Sequence, residues 1–509
     1  MAQVLVAGVD TSTQSTKVRV TDAATGMLVR FGQAKHPGGT SVDPNAWWNA
    51  FLEASAQAGG LDDVSALSVG GQQHGMVILD EQGNVIRDAM LWNDVSSAPQ
   101  AAALIERLGT SPAAPAEDGE PEDAIARGKQ RWVKATGSSP VASYTLTKVA
   151  WVAENEPENA KRIAAICLPH DWLSWRIAGY GPVAPGEDAH LDALFTDRSD
   201  ASGTIYYDAA RGQYRRDLLA TVLAAAEGED AAKAHTDAIT LPTVLGPRET
   251  AAVKASPVFA GKEIEGGCIL GPGGGDNAMA ALGLGMAVGD VSISLGTSGV
   301  AAAIAKNPVY DLTGAVSGFA DCTGHYLPLA CTINGSRIAD ACRAALGVDY
   351  DELAALAAQS APGAEGVTLI PYFDGERTPN RPDATATLHG MTLANTTKAN
   401  LARAFVEGLL CSQRDCLELI RSLGADITRI LLIGGGARSA AVRAYAPGIL
   451  GMDVELPATD EYVAIGAARQ AAWVLSGEPE PPAWPLTIEE TLTGEPTPEV
   501  YAQYARYRG

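Results

Sequence analysis

Short runs of apolar residues, separated by turn residues, open the chain. Residues 4–9 are apolar, residues 17–21 alternate apolar and polar positions, and residues 27–31 again have the composition of a strand. Because turn residues separate each pair of runs, we predict three adjacent antiparallel strands. The same patterns predict further strands at 67–71, 76–79 and 85–86, and helices at 44–57 and 146–154. The first part of the chain is therefore expected to be a mixed α/β domain.

The second half of the chain repeats this organisation. Residues 290–300 predict a strand, a turn of small residues and a second strand, like the segment around Asp10. Residues 429–433 predict a strand that runs into glycines 434–436 and then into a helix. Small residues at such a turn let the main chain approach a phosphate or a sugar, although glycines equally serve tight turns. The repeat indicates two duplicated domains that face one cleft.

Composition limits the possible classes of function. A chain of 509 residues, 46% of them hydrophobic, can bury more than one core, so two or three domains are expected. The formal net charge of -23 argues against a nucleic-acid or membrane-surface ligand, since both are polyanions. No segment approaches 18 uninterrupted apolar residues and no signal sequence precedes the first strand, so we expect a cytoplasmic protein.

Seven cysteines are scattered along the chain. None forms a Cys-x-x-Cys pair and no histidines cluster beside them, so neither a disulfide framework nor a zinc site is expected. We interpret them as core residues.

The segment between residues 109 and 128 differs from the rest of the chain. It is acidic, rich in proline and without periodicity. These features predict an exposed, mobile loop, with partner binding as the less favoured alternative.

Two elements carry candidate chemistry. Asp276 follows glycines 273–275, where the backbone can come close to a ligand, and a carboxylate in that place suits a general base. Asp10 ends the first predicted strand beside a turn of small residues, which suits a phosphate site. Taken singly, Asp10 equally suits the cap of a turn, and His74 suits a structural histidine.

The order of four segments is more informative than any one of them. Residues 8–13 (Gly-Val-Asp-Thr-Ser-Thr) and 294–300 are two strand-end turns, and residues 143–155 and 386–407 are longer motifs between and after them. Through these segments nearly the whole chain resembles the FGGY carbohydrate kinases. Residues 8–13 and 294–300 look like the two phosphate motifs of that family, and the longer segments look like its two signature sequences.

The resemblance implies an α/β fold with two ribonuclease-H-like domains, of the actin and hexokinase ATPase type, around a central cleft. We place the N-terminal domain at residues 1–286 and the C-terminal domain at residues 287–509. ATP and Mg²⁺ are the implied cofactors. Asp276 is then the general base that accepts the proton of a sugar hydroxyl as that oxygen attacks the γ-phosphorus. Asp10 is the implied metal residue, because a hydrated magnesium ion prefers carboxylate oxygens.

The resemblance assigns further residues to two groups. The ATP-binding group comprises Asp10, Thr13, Lys17, Gly296, Thr297, Gly435, Gly436 and Ala437. The sugar-binding group comprises Gln73, His74, Asn93, Asp276 and Asn277.

The sugar is expected to be D-xylulose, since residues 71–76 and 91–94 resemble the sugar-binding segments of family members that act on it. Three positions depart from the family pattern. Ser12 and Gln73 stand where glycine and methionine are usual, and Ser96 stands where an arginine is common. Loss of that arginine removes a side chain with several donors, so ribulose, gluconate or glycerol remain alternative acceptors.

A non-catalytic sugar sensor and an actin-like assembly ATPase on the same fold are disfavoured. Asp276 is present, and the acidic chain carries no basic module with which a sensor would bind DNA. FGGY kinases often form dimers, which leaves a homodimer as an open expectation.

Overall fold

The computed structural model describes residues 3–111 and 119–508. Over these ranges the chain forms 23 strands and 16 α-helices, together with short 3₁₀ turns. The strands are β1 (Leu5–Thr11), β2 (Ser15–Asp22), β3 (Leu28–Lys35), β4 (Ser41–Val42), β5 (Val64–Gly71), β6 (Val77–Leu79), β7 (Ala89–Met90), β8 (Ala165–Cys167), β9 (Phe195–Asp197), β10 (Tyr207–Asp208), β11 (Gln213–Tyr214), β12 (Thr243–Leu245), β13 (Ile269–Leu270), β14 (Gly274–Gly275), β15 (Asp290–Leu295), β16 (Gly299–Ala303), β17 (Val316–Ala320), β18 (Tyr326–Thr332), β19 (Thr368–Ile370), β20 (Thr387–His389), β21 (Arg429–Ile433), β22 (Val454–Pro457) and β23 (Ile488–Leu492). The helices are α1 (Asn45–Gln57), α2 (Ala98–Thr110), α3 (Ala124–Thr136), α4 (Thr145–Asn155), α5 (Pro157–Ala160), α6 (Pro169–Ile177), α7 (Arg198–Ser202), α8 (Arg216–Glu227), α9 (Glu229–Ala238), α10 (Asp276–Gly283), α11 (Arg337–Leu346), α12 (Tyr350–Ala358), α13 (Lys398–Ser422), α14 (Ala440–Leu450), α15 (Tyr462–Ser476) and α16 (Pro498–Ala505).

The first half of the chain is built on one sheet, in the order β13-β5-β1-β2-β3, with β14 paired to the end of β5. Strands β1, β2 and β3 are antiparallel neighbours, which confirms the three-strand prediction. Strands β1, β13 and β14 each run parallel to β5. The strand prediction for residues 85–86 is wrong, because Val85 makes only an isolated bridge to Leu79. Asp80 stabilises the preceding turn by accepting a hydrogen bond from the Asn84 N–H. The residues after that turn pair with β6 over too short a stretch to form a second strand.

The second half is built on a seven-stranded sheet, in the order β17-β18-β16-β15-β21-β22-β23. Its β15–β16 hairpin and the parallel pair β15–β21 confirm the strands predicted at residues 290–300 and 429–433. A hairpin beside a parallel strand also forms the centre of the first sheet, where β1 and β2 lie beside β5. The α/β class and the internal repeat are therefore confirmed.

Helix α15 joins the two halves, because it belongs to the second half but packs against α10, β1 and β5 of the first. A Cβ placed on Gly8 of β1 would lie 2.0 Å from the carbonyl oxygen of Ala464 in α15. Gln470 of α15 accepts a hydrogen bond from the Gly273 N–H and donates one to the Gly273 oxygen, both at 2.9 Å. Backbone therefore meets backbone at this junction, and only glycine fits at position 8.

Replacement of Gly8 by alanine tests this close approach. We expect Gly8→Ala to lower the free energy of unfolding by about 3 kcal/mol, since the new methyl group must push backbone apart. Urea denaturation measures the change. Gly494→Ala is the matched control, because its Cβ would make only ordinary contacts, 3.6 Å from Pro447 Cβ. Equal stability of the two variants would contradict the packing described here.

The acidic segment at 109–128 is only partly a loop. Residues 112–118 lie outside the described residues, so the prediction is not tested there. At its two ends the prediction is wrong, because α2 runs through Gly109 to Thr110 and α3 begins at Ala124 and includes Gly128. A Cβ on either glycine would lie 1.9 Å from a carbonyl oxygen of the facing helix, so the two helices cross in backbone contact. Periodicity could not reveal this contact, since it depends on how two separate helices pack.

All seven cysteines are free thiols, and all except the half-buried Cys331 are buried. Across residues 3–111 and 119–508, no helix has the length and apolar character that a membrane span requires.

Candidate active site

Three parallel strands of the first sheet end side by side. The register pairs Asp10 of β1 with Gly70 of β5, and Gly275 of β14 with Gly71 of β5. Asp276 follows Gly275 directly and is the first residue of α10. Because the carboxyl ends of parallel strands meet at one edge of a sheet, the residues that follow them share one site.

Asp276 is half-buried at this edge. Its Oδ1 accepts hydrogen bonds from the backbone N–H of Asn277 at 2.8 Å and from Nδ2 of Asn277 at 3.1 Å. The same Nδ2 donates to Oε1 of Gln73 at 2.8 Å. Burial raises the pKa of Asp276 to about 7, and the negative charges of Asp10 and Asp200 add to the rise. A carboxyl group that titrates near neutrality can take up a proton from a substrate.

Asp10 is buried and faces Lys17 across the β1–β2 hairpin. Lys17 Nζ lies 3.1 Å from Asp10 Oδ2 and 2.6 Å from Glu461 Oε2. Ser12 donates to Asp10 Oδ1 from both its N–H and its hydroxyl. Burial raises the pKa of Asp10, although Lys17 and Ser12 oppose the rise. Burial lowers the pKa of Lys17, but the two carboxylates outweigh it and the pKa is raised.

The oxygen donors of this site decide whether a magnesium ion fits. Among the described residues, no group of three or more His, Cys, Asp and Glu side chains has the arrangement of a metal site. Magnesium usually keeps several waters and binds one or two carboxylates together with substrate phosphates. The buried carboxylate of Asp10 fits a hydrated magnesium ion held in that manner. The described residues do not fit a magnesium ion held by protein ligands alone.

The loop that follows β7 contacts the turn between β1 and β2, where the sequence predicts a phosphate site. Trp92 Nε1 donates to Thr13 Oγ1 at 2.9 Å, which joins the predicted phosphate residue to the loop. Asn93 Nδ2 donates to the Gly39 oxygen at 3.4 Å, while its Oδ1 has no partner within the described part of the chain. Thr13 and Asn93 therefore lie on neighbouring loops.

Ser96 supports the turn at the end of this loop. Its N–H donates to Asp94 Oδ1 at 2.9 Å, and its hydroxyl donates to the same oxygen. Burial raises the pKa of Asp94, but the hydrogen bonds from Ser96 and the charge of Lys148 contribute to a net lowering. Burial lowers the pKa of Lys148 to about 7 against the attraction of Asp94. Ser96 thus stabilises a local turn at the position where the family pattern would place an arginine.

His74 is held by its backbone and by its ring. Its φ is 70°, in the left-handed region, and its Nδ1 lies 2.9 Å from the Gly203 oxygen. Because a carbonyl can only accept, Nδ1 carries the proton and Nε2 is left as an acceptor. Burial and the charge of Lys148 lower the pKa of His74 to about 3, despite the Gly203 hydrogen bond. The ring therefore stays neutral at physiological pH.

A cavity of about 290 Å³ lies at the carboxyl ends of β15 and β21 in the second half. Gly435 and Ala437 line it, and a Cβ on Gly435 would have no protein atom within 4 Å. Gly436 faces the protein instead, because its Cβ would lie 2.7 Å from Leu295 Cβ. Gly296 and Thr297 form the exposed turn between β15 and β16.

Sequence reasoning missed three side chains of the first site. Glu461 binds Lys17 from the start of α15, and no local signal marks it, because only the packing of the two halves brings it there. Asp200 adds its charge to Asp276 from α7, also without a sequence signal. Lys148 did have a signal, since a lone lysine stands in the apolar helix α4 within the motif 143–155.

Comparison with known proteins adds to this geometry. Residues 5–283 match the N-terminal domain of the FGGY family of carbohydrate kinases, and residues 291–475 match its C-terminal domain. The chain belongs to the FGGY family of carbohydrate kinases. It is therefore a sugar kinase of the two-domain actin and hexokinase type, with ATP as its co-substrate, as the sequence predicted.

Individual relatives are more specific. A xylulose kinase from Streptomyces coelicolor is 42% identical over 480 residues, which cover 93% of this chain and 89% of the relative. A xylulose kinase from Streptomyces rubiginosus is 42% identical over 481 residues, with the same coverage. The crystal structure of xylulose kinase from Bifidobacterium adolescentis is 83% identical, covers 100% of both chains and superposes with a TM-score of 0.98.

Proposed function

We propose that this chain phosphorylates D-xylulose to D-xylulose 5-phosphate with ATP, and that Asp276 is the general base. The observation that carries the proposal is the hydrogen-bonded group of Asp276, Asn277 and Gln73 at the strand ends, next to His74. Within this group, the carboxyl of Asp276 has a pKa of about 7. The xylulose kinases among its relatives support the choice of sugar.

The proposed chemistry is an in-line phosphoryl transfer. Asp276 accepts the proton of the terminal sugar hydroxyl while that oxygen attacks the γ-phosphorus, and ADP leaves. Gln73, His74, Asn93 and Asn277 would orient the sugar, which is the larger part of catalysis for such a reaction. Closure of the two halves would exclude water, the competing acceptor.

The phosphates would be held on the other side of the site. Thr13, Gly296 and Thr297 lie in the two hairpin turns, and Lys17 lies in β2 opposite Asp10. These four residues would donate hydrogen bonds to the phosphates. Asp10 would hold a hydrated magnesium ion, which neutralises phosphate charge when bound.

A substrate panel tests the proposed sugar. ADP release is measured with ATP and magnesium against D-xylulose, D-ribulose, L-ribulose, D-gluconate and glycerol, with a no-sugar control. We expect the highest kcat/KM for D-xylulose. A higher value for another acceptor would overturn the choice of sugar and leave the kinase assignment in place.

The second candidate function is phosphorylation of one of those other acceptors. It is favoured by Ser96, which donates two hydrogen bonds to Asp94 at the position where the family pattern leads us to expect an arginine. The loss of a side chain with several donors changes which sugar hydroxyls find a partner. The same panel separates the two candidates.

The cavity beside Gly435 is proposed as the adenosine pocket, with Gly436 and Ala437 in the same turn. Because a Cβ on Gly435 meets no protein atom, Gly435→Ala should leave the melting temperature unchanged. It should raise KM for ATP about tenfold, since the methyl group takes space that the nucleotide needs. Steady-state kinetics with varied ATP measures the change, with Gly494→Ala as the control. An unchanged KM would place the nucleotide elsewhere.

The proposal also covers the domain boundaries, the location in the cell and the oligomeric state. We propose a domain division at residues 1–286 and 287–509, a cytoplasmic location and a homodimer. Analytical ultracentrifugation of the purified protein tests the homodimer.

A further inference from the structure

A short buried helix, α7, lies behind the proposed sugar-binding residues. Helix α7 contacts two segments of the site. Its Ser199 hydroxyl oxygen accepts a hydrogen bond from the Gly275 N–H at 3.3 Å, immediately before Asp276. The oxygen of Gly203, at its C-terminal end, accepts the hydrogen bond from His74 Nδ1.

The same helix also contacts the second half of the chain. The Ser202 hydroxyl oxygen accepts a hydrogen bond from the Ala320 N–H of β17 at 3.1 Å. Next to it, the Phe319 ring packs against the His74 ring, with 5.5 Å between ring centroids. Helix α7 therefore joins the His74 loop, the strand before the proposed base, and the opposite half.

Buried charges anchor this helix. Asp197 caps it by accepting hydrogen bonds from the Ser199 and Asp200 N–H groups, both at 2.9 Å. Asp200 Oδ2 lies 2.7 Å from His170 Nδ1, and Asp171 Oδ1 lies 3.0 Å from His170 Nε2. All of these side chains are buried. An ion pair inside the protein is costly to break, because the remaining charge is left without a partner.

We propose that α7 and the His170–Asp200 pair beneath it position the sugar acceptor, with Asp200 and Gly203 as positioning residues. Gly203 turns the His74 ring so that Nδ1 is bound and only Nε2 can accept a sugar hydroxyl. Asp200 keeps α7, and with it Gly203, in place. The inference rests on the proposed role of His74 in sugar binding.

Gly203→Ala tests the inference with a minimal change. Gly203 has φ -76° and ψ -6°, which alanine adopts without strain. Its Cβ would lie 2.5 Å from His74 Nδ1 and 2.6 Å from His74 Cε1. The methyl group can be accommodated only if the His74 ring moves away, and that movement breaks the hydrogen bond to the Gly203 oxygen.

We expect Gly203→Ala to raise KM and Kd for the preferred sugar about tenfold and to leave KM for ATP within about twofold of wild type. Kinetics and isothermal titration calorimetry with D-xylulose, or with the acceptor that the panel selects, provide the two constants. Gly435→Ala should raise KM for ATP and leave the sugar constants unchanged. Gly494→Ala should change neither the sugar constants nor KM for ATP. An unchanged sugar Kd, or equal losses for sugar and ATP, would overturn the inference.

Asp200→Asn is the second variant. Burial lowers the pKa of His170, but the neighbouring aspartates raise it to about 9, so its ring is an imidazolium at neutral pH. The asparagine oxygen can still accept from His170 Nδ1, but the charge that pairs with the imidazolium is gone. We expect the same selective rise in the sugar constants, whereas Asp208→Asn should not produce it. Asp208 is a matched control because it is a buried aspartate that caps a turn, with hydrogen bonds to Ala210 and Arg211. A selective rise in Asp208→Asn as well as in Asp200→Asn, or no rise in Asp200→Asn, would overturn the role of Asp200.

Failure of this inference is distinct from failure of the proposed function. A wild-type enzyme that releases ADP with no sugar of the panel would overturn the proposed function and the inference with it. A wild-type enzyme that is active on a sugar, with Gly203→Ala equal to it in every constant, would overturn the inference alone.

Discussion

Asp276→Asn is expected to lower kcat for sugar-dependent ADP release by about 100-fold or more, the scale expected for the loss of a general base. The amide keeps the shape of the side chain and can still accept the hydrogen bonds from Asn277, but it does not take up the sugar proton. KM for ATP and the Kd for the sugar should therefore remain near those of wild type. Steady-state kinetics and calorimetry on the same preparation measure all three constants.

The control for this variant is Asp208→Asn, which removes a buried carboxylate from the separate two-stranded sheet of β10 and β11. It should keep wild-type kcat. Near-normal turnover of Asp276→Asn would reject the role of Asp276, and a parallel loss of ATP and sugar binding would indicate a structural role instead.

The pH dependence of kcat is the second large effect. A base must be charged to accept a proton, and Asp276 is charged only above its pKa of about 7. Turnover should therefore reach its plateau above about pH 8 and fall about tenfold for each pH unit below about 6. In the Asp276→Asn variant this acidic limb should be absent from the residual activity.

Lys148 provides a check on that assignment. Its pKa is also about 7, but it loses positive charge as the pH rises, so its titration has the opposite sign. A limb that falls with increasing pH and disappears in Lys148→Met would belong to the lysine. An acidic limb that persists in Asp276→Asn would contradict the assignment to Asp276.

The same pKa has a consequence for stability. Asp276 has a higher pKa in the folded protein than its ordinary value of 3.8, so the folded state binds more protons between these two values. Its contribution to stability is therefore present at low pH and is lost as the pH rises through about 7. Asp276→Asn should accordingly have a higher melting temperature than wild type at pH 8, because it removes a charged carboxylate that burial disfavours. Such a loss of stability at a catalytic residue is common in enzymes.

Local sequence patterns by themselves determined several strands, the candidate base and the family of this protein. An apolar run, an alternating run and the turn residues between them predicted β1, β2 and β3, because the burial of a strand is reflected in the polarity of its own residues. Strand β1, for example, is buried along its whole length. The glycine run before Asp276 predicted a close backbone approach, and the ordered motifs led to the family. Where pairing depends on very few residues, as at Val85, the pattern was misleading.

Contacts between distant segments were decided only by the tertiary structure. Parallel pairing with β5 brings Asp10 and Asp276 to one edge, and the packing of α15 brings Glu461 to Lys17. The contact of Gly203 with His74 likewise depends on where α7 docks. Residues such as these meet because sheets and helices pack in three dimensions, and the periodicity of each segment carries no information about which partner it will meet.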